Sequence, residues 1–307
     1  MNIYPNITAL IKNTPLVELQ NIKKHFDLSS RIMAKMEAFN PGGSVKDRIA
    51  LAMIEDGIKK GLINQDTTII EATSGNTGIG LAMIGASKGL KVILTMPESA
   101  SMERRKLLQA YGATLYLTPK ELGMKGALAK AAELTSSIKN HFVPSQFENP
   151  NNPLVHYFST GPEIMKATTG QIDCFIAGIG TGGTISGVGK YLKENNPAIK
   201  VIGVEPAASP VLTKGISGTH KIQGIGAGFV PKILNQTVID EIVSVTDEEA
   251  IFTARLLGKK EGILAGFSAG AALFAALNQA RKKPGQTIVV LFPDTGERYL
   301  STVLYEE

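Results

Sequence analysis

The sequence contains one cysteine, Cys174, so no disulfide can form within the chain, and a reducing compartment is expected. Cys174 opens the apolar run Cys174-Phe175-Ile176-Ala177, where a thiol serves as a small buried hydrophobe in a strand. The four histidines, His25, His141, His156 and His220, are too far apart for metal-ligand spacing, and no metal is expected. No stretch approaches the roughly 20 apolar residues that span a bilayer. Residues Met1 to Ile11 lack the basic start and long apolar run of a signal peptide, so a cytoplasmic protein off the membrane is expected. Charge of one sign is also scarce: 32 basic residues against 27 acidic leave a net +5, with no basic arm or aromatic-studded basic stripe. That excludes nucleic acid as the expected partner. Internal repeats, low-complexity tracts and a Walker-type phosphate loop are absent as well.

What is present is an alternation of short apolar runs with helix-period segments over 307 residues. Strands are expected at Thr67–Ala72, Lys91–Met96, Thr114–Thr118, Asp173–Ile179 and Lys200–Glu205. Helices are expected at Gly78–Gly89, Met102–Tyr111, Ala127–Ile138, Ile185–Glu194 and Ala269–Ala280. Strands such as Val92-Ile93-Leu94 are apolar on both faces, as strands in a covered parallel sheet must be. The expected class is α/β, with two domains that each carry a mostly parallel twisted sheet flanked by helices. The polar, proline-bearing stretch from Glu148 to Pro153 reads as a linker or hinge.

The 32 glycines cluster just after the apparent strands, where open α/β sheets bind ligands. In Asn40-Pro41-Gly42-Gly43-Ser44-Val45-Lys46, a tight turn feeds a helix whose apolar face is Ile49, Met53, Ile54, Gly57 and Ile58. A buried Lys46 in the first turn would have its amine pKa lowered, giving the neutral amine that Schiff-base chemistry needs. Local spacing alone favours a solvated Lys46 paired with Asp47 or Asp56. Thr73-Ser74-Gly75-Asn76-Thr77-Gly78 follows a strand and opens a helix expected to begin near Ile79, a natural seat for a carboxylate or phosphate. Gly178-Ile179-Gly180-Thr181-Gly182-Gly183-Thr184 repeats that design. Gly178, Gly180 and Gly183, with Glu205 at the end of the next strand, also satisfy the dinucleotide pattern, so a nicotinamide enzyme competes on local evidence. Gly266-Phe267-Ser268-Ala269-Gly270 imitates a nucleophile elbow, but every histidine precedes Ser268, against the order of an α/β-hydrolase.

Taken together, and over nearly the whole chain from Asn13-Thr14-Pro15-Leu16 to Gly296-Glu297-Arg298, these clusters resemble the O-acetylserine sulfhydrylase (cysteine synthase) family of fold-type II pyridoxal-phosphate enzymes, whose fold is like that of the tryptophan synthase β subunit. The resemblance implies pyridoxal 5'-phosphate as cofactor and conversion of O-acetyl-L-serine and hydrogen sulfide to L-cysteine and acetate, by way of an internal aldimine and an aminoacrylate. Lys46 would form the aldimine, Asn76 would bond the ring hydroxyl, and Ser268 would face the ring nitrogen. Gly180, Thr181, Gly182, Gly183 and Thr184 would hold the phosphate. Thr73, Ser74, Gly75 and Thr77, assisted by Gln146, would bind the substrate carboxylate. The Gly224–Phe229 stretch looks like a loop lining the same cleft. Residues 37–146 would form a smaller, mobile substrate-binding domain, and 1–36 with 147–307 a larger cofactor-phosphate domain. A homodimer and the C-terminal tail of a serine acetyltransferase are the protein partners the family implies. A cystathionine- or lanthionine-forming β-synthase would use the same residues. Ala100, Ala269 and Asp294-Thr295 depart from the commoner family residues, and none lies in the implied catalytic set.

Overall fold

The computed structural model describes residues 3–306. They contain ten strands: β1 (Leu16–Glu18), β2 (Arg31–Met36), β3 (Thr68–Ala72), β4 (Lys91–Pro97), β5 (Thr114–Thr118), β6 (His141–Phe142), β7 (Cys174–Gly178), β8 (Lys200–Pro206), β9 (Glu241–Val245) and β10 (Thr287–Phe292). Two sheets result. One has the order β5-β4-β3-β6 and is wholly parallel. The other has the order β1-β2-β10-β7-β8-β9, parallel except where β1 runs antiparallel to β2. The α/β class with two mostly parallel, helix-flanked sheets is therefore as the sequence indicates.

The chain divides into two compact units, Met1–Ile11 with Asn40–Asn151, and Lys12–Phe39 with Asn152–Glu307. Each has its own core. In the smaller unit, Ile69, Ile79, Ile84 and Leu94 pack with Ala50 and Ile54 of the helix Lys46–Lys59. In the larger, Ile176, Ile202, Val204, Ile288 and Val290 of the sheet meet Phe267, Ala271 and Ala275 of the helix Phe267–Lys282. Three boundaries differ from the sequence expectation, and the one expected at 36/37 falls at Phe39/Asn40. Ile11 is buried in the smaller unit's core, so the first residues group with that unit instead of with the larger one. The division at Asn151/Asn152 falls inside the expected linker, but a helix, Asn151–Val155, occupies it. Asn149 starts that helix by accepting the Asn151 N–H.

Strand order locates the places where ligands bind. In the smaller sheet β4 and β5 lie on one side of β3 and β6 on the other, so the order reverses at β3/β6. In the larger sheet β8 and β9 lie on one side of β7 and β10 on the other, so it reverses at β7/β10. Open parallel sheets bind ligands at the carboxyl ends of strands at such points. The loops leaving β3, β6 and β7 are those that hold Thr73–Gly78, Gln146 and Gly180–Thr184.

Candidate active site

In the smaller unit the turn Asn40–Ser44 is closed from below by Asp47, whose carboxylate accepts the Gly42 N–H at 2.6 Å. Lys46 is the first residue of the helix Lys46–Lys59, in its opening turn as expected. Ile49, Met53, Ile54 and Gly57 are buried, but Ile58 is 42% exposed, so the apolar face is one residue narrower than its periodicity suggests. Lys46 makes no ion pair with either predicted acid. Asp47 is committed to the turn, and Asp56 pairs with Lys60 at 2.7 Å. The side chain is half-buried, and desolvation pushes its amine down from the ordinary 10.5 to about 8.

The loop after β3 reaches its helix sooner than expected: Gly75 is the N-cap, and Asn76 and Thr77 form the first turn. Gly80 lies so close to the neighbouring helix that a Cβ would sit 3.0 Å from the Ala50 Cβ and 3.2 Å from the Lys46 carbonyl oxygen. The helix Asn76–Lys88 and the Lys46 turn are thereby brought together. Gly75 donates its N–H to the Thr73 hydroxyl, and the Arg104 guanidinium donates to the Ser74 carbonyl at 3.3 Å. Thr77 donates its hydroxyl to the Gln146 Oε1 at 2.6 Å, joining two sequence-predicted residues that lie 69 positions apart. Thr73, Thr77 and Gln146 are all buried.

In the larger unit the loop after β7 leads into the helix Gly183–Asn195. Its glycines are compelled by space and conformation. A Cβ on Gly180 would lie 2.4 Å from the Gly224 carbonyl oxygen, one on Gly183 would lie 1.8 Å from the Asn152 Oδ1, and Gly182 has φ +83°. The result is a narrow cradle of backbone at a helix N-terminus, with the Thr181 and Thr184 hydroxyls beside it. That is the donor set a phosphate dianion requires, so pyridoxal phosphate fits here. The Gly224–Phe229 loop is tied to the cradle by the Gly226 N–H donating to the Ile179 carbonyl at 3.0 Å. Ser268, in the first turn of Phe267–Lys282, is buried next to Gly224.

Two residues that support the cradle are absent from the sequence expectation. Asn152 donates its Nδ2 to the Thr181 hydroxyl at 3.0 Å. His156 is buried in a turn of π-helix, His156–Thr160, and its ring bridges Thr160 at 2.9 Å and Thr184 at 3.3 Å. Their four-residue spacing puts both on one helix face, which is the only signal the sequence carries for them. The nicotinamide alternative fails at Glu205. Its buried carboxylate accepts the Leu212 N–H and the hydroxyls of Thr213 and Ser244, so it ties down the chain after β8 and is not presented to a ribose. Cys174 is fully buried, and its thiol is pushed up to about 12, chiefly by desolvation. Among the described residues, no helix is long and apolar enough to cross a membrane.

A family profile described as pyridoxal-phosphate dependent enzyme matches residues 7–294. The chain is 53% identical over 302 residues to a cysteine synthase of Staphylococcus aureus, covering 98% of this chain and 96% of that one. It superposes on a cysteine synthase from Entamoeba histolytica with a TM-score of 0.96 at 43% identity, over 99% of this chain and 91% of that one. A hydrogen sulfide-producing enzyme from Fusobacterium nucleatum matches with a TM-score of 0.93 at 49% identity, over 97% of this chain and 100% of that one. With a desolvated lysine opening one helix and a glycine-only cradle opening another, and with these likenesses spanning its length, the chain belongs to the pyridoxal-phosphate-dependent enzyme family and, within its fold-type II members, to the cysteine synthases.

Proposed function

We infer that the protein catalyses β-replacement, converting O-acetyl-L-serine and hydrogen sulfide to L-cysteine and acetate with pyridoxal 5'-phosphate. The observation that carries this reading is Lys46: a helix-opening amine lowered to about 8 by desolvation has a neutral fraction near neutral pH and can act as a base. Lys46 would hold the cofactor covalently, and its amine would take the substrate α-proton and later return it. Backbone and hydroxyls of Gly180, Thr181, Gly182, Gly183 and Thr184 hold the phosphate, with His156 and Asn152 orienting the two threonines. Asn76 donates to the ring hydroxyl. Ser268 would offer the cofactor ring nitrogen a neutral hydroxyl, and the bound cofactor would then supply a weaker electron sink than one facing a carboxylate. Thr73, Ser74, Gly75, Thr77 and Gln146 hold the substrate α-carboxylate. The bound cofactor supplies the electron sink for the charge left at the substrate α-carbon. Overall, the C–O bond to acetate breaks, hydrosulfide then forms the new C–S bond, and no net oxidation occurs.

The smaller unit then serves the amino acid and the larger the cofactor phosphate. A second copy of the chain is the proposed oligomeric partner. Support comes from the family resemblance and from apolar side chains at the larger unit's surface, Phe39, Phe158 and Phe252. The tail of a serine acetyltransferase is proposed on the resemblance alone. A cytoplasmic location suits a chain whose one cysteine is a buried thiol. The test is borohydride reduction of the purified enzyme followed by peptide mass mapping, alongside a cysteine-formation assay. The cofactor mass is expected on the Lys46 peptide. Its appearance on another lysine, or no cysteine from O-acetylserine and sulfide, overturns the reading.

A further inference from the structure

Glu71 ends the apolar run Ile69-Ile70 on β3, two residues before Thr73, and is only 5% exposed. A carboxylate in that position calls for an explanation, because burial without a cation is costly. Its partners are all on the loop after β6. It accepts the backbone N–H of Ser145 at 3.1 Å, that of Gln146 at 3.4 Å, and a hydrogen bond from the Gln146 side chain. The other end of the same amide accepts from Thr77. Ser145 holds φ +54°, a left-handed conformation that a serine adopts only when its surroundings impose it. Its carbonyl receives the N–H groups of Glu148 and Asn149, so the turn closes around the carboxylate.

We propose that Glu71 is a positioning residue: as a carboxylate it gathers three N–H donors of Ser145 and Gln146 and thereby fixes the Gln146 amide in register with Thr77 for the substrate α-carboxylate. The proposal rests on the reading of Thr73–Thr77 and Gln146 as the carboxylate-binding residues. A carboxylic acid would add a fourth hydrogen among three donors, and one bond would be lost. Desolvation raises the Glu71 pKa to about 7, so that change falls near neutral pH. The ionisable groups on the packed elements are Lys91 of β4 and His141 of β6, both opposite Thr68 three residues away, and Lys125, Lys130 and Glu133 of the helix Gly123–Ser137. Glu148 follows in the turn. None of them is among the causes of the Glu71 shift.

The test compares the holoenzyme with Glu71→Gln, whose amide resembles the protonated acid, across pH 5.5 to 8.5. Ionisation of the substrate affects both proteins alike, so the ratio of their KM values for O-acetylserine isolates Glu71. The ratio is expected at about tenfold above pH 8, falling toward one below pH 6, with the effect on KM and not on kcat. A ratio that does not vary with pH, or a loss confined to kcat, overturns the proposal. A second measurement needs no variant. Backbone amide shifts of Ser145 and Gln146 in the isotope-labelled wild-type holoenzyme, whose N–H groups Glu71 accepts, are expected to move with a midpoint near pH 7 while those of 180–184 hold. Constant shifts at Ser145 and Gln146 overturn the role of Glu71. Gln146→Ala separates the two layers. If it leaves KM unchanged, the carboxylate-binding reading itself fails; if it raises KM while the Glu71→Gln ratio stays flat, only the role of Glu71 fails.

Discussion

The desolvation of Lys46 makes a prediction that can be read without turnover. Strip the cofactor and expose the protein to brief pulses of a water-soluble acylating reagent from pH 6 to 10, following the Lys46 peptide by mass spectrometry. Only the neutral amine reacts. At pH 7 an amine with a pKa of about 8 is roughly 9% neutral, against roughly 0.03% for one at the ordinary 10.5, a gain of roughly 300-fold in reactive fraction. Limited access to a half-buried side chain lowers the absolute rate but does not move the midpoint, so the midpoint is the quantity to measure. Exposed lysines such as Lys120 report on the reagent itself. The Lys46 rate is expected to level off above about pH 8. A rate still climbing in proportion to hydroxide at pH 10 refutes the argument, because the amine would then be solvated and no better prepared for imine chemistry than a surface lysine.

Gly180→Ala places a methyl 2.4 Å from the Gly224 carbonyl, and the cradle must open by about 1 Å to admit it. Cofactor affinity, measured by titrating the stripped protein with pyridoxal phosphate, is expected to fall about tenfold; unchanged affinity shows that the cradle does not bind phosphate. Glu71 also has a stability consequence. Its folded-state pKa of about 7 lies above the ordinary 4.5, so its contribution is full below pH 4.5 and lost as pH rises through 7, a change of roughly 3 kcal/mol. Glu71→Gln removes that dependence, so its melting temperature relative to wild type is expected to rise between pH 5 and pH 8. Parallel melting curves for the two proteins would mean the carboxylate is not desolvated.

The features that local patterns could reveal are those fixed by local physics. The strand at Thr114–Thr118 lies where the alternation of apolar segments puts it, and the glycine clusters follow strands because backbone must approach a ligand there. β2 is hidden because Arg31 and Lys35 interrupt its apolar run. Lys35 is nonetheless buried, its ammonium held by the Thr14 carbonyl at 2.5 Å and by Glu163 at 2.7 Å, 128 residues away. No local pattern announces a partner at that distance. His156, Asn152 and Glu71 were missed for the same reason, since each matters through a hydrogen bond to a remote loop. At Ile58 the opposite holds: the helical period continues to a side chain that is 42% exposed.

The close approach at Gly80 couples two functions mechanically. With glycine at the contact, the turn proposed to supply the reactive amine and the turn proposed to grip the amino acid share one close seam, and shifting either drags the other. Selection for a new donor or nucleophile would therefore find little freedom at this seam. Diversification within such a scaffold should instead accumulate in segments that can be re-contoured without disturbing the spacing between base and anchor.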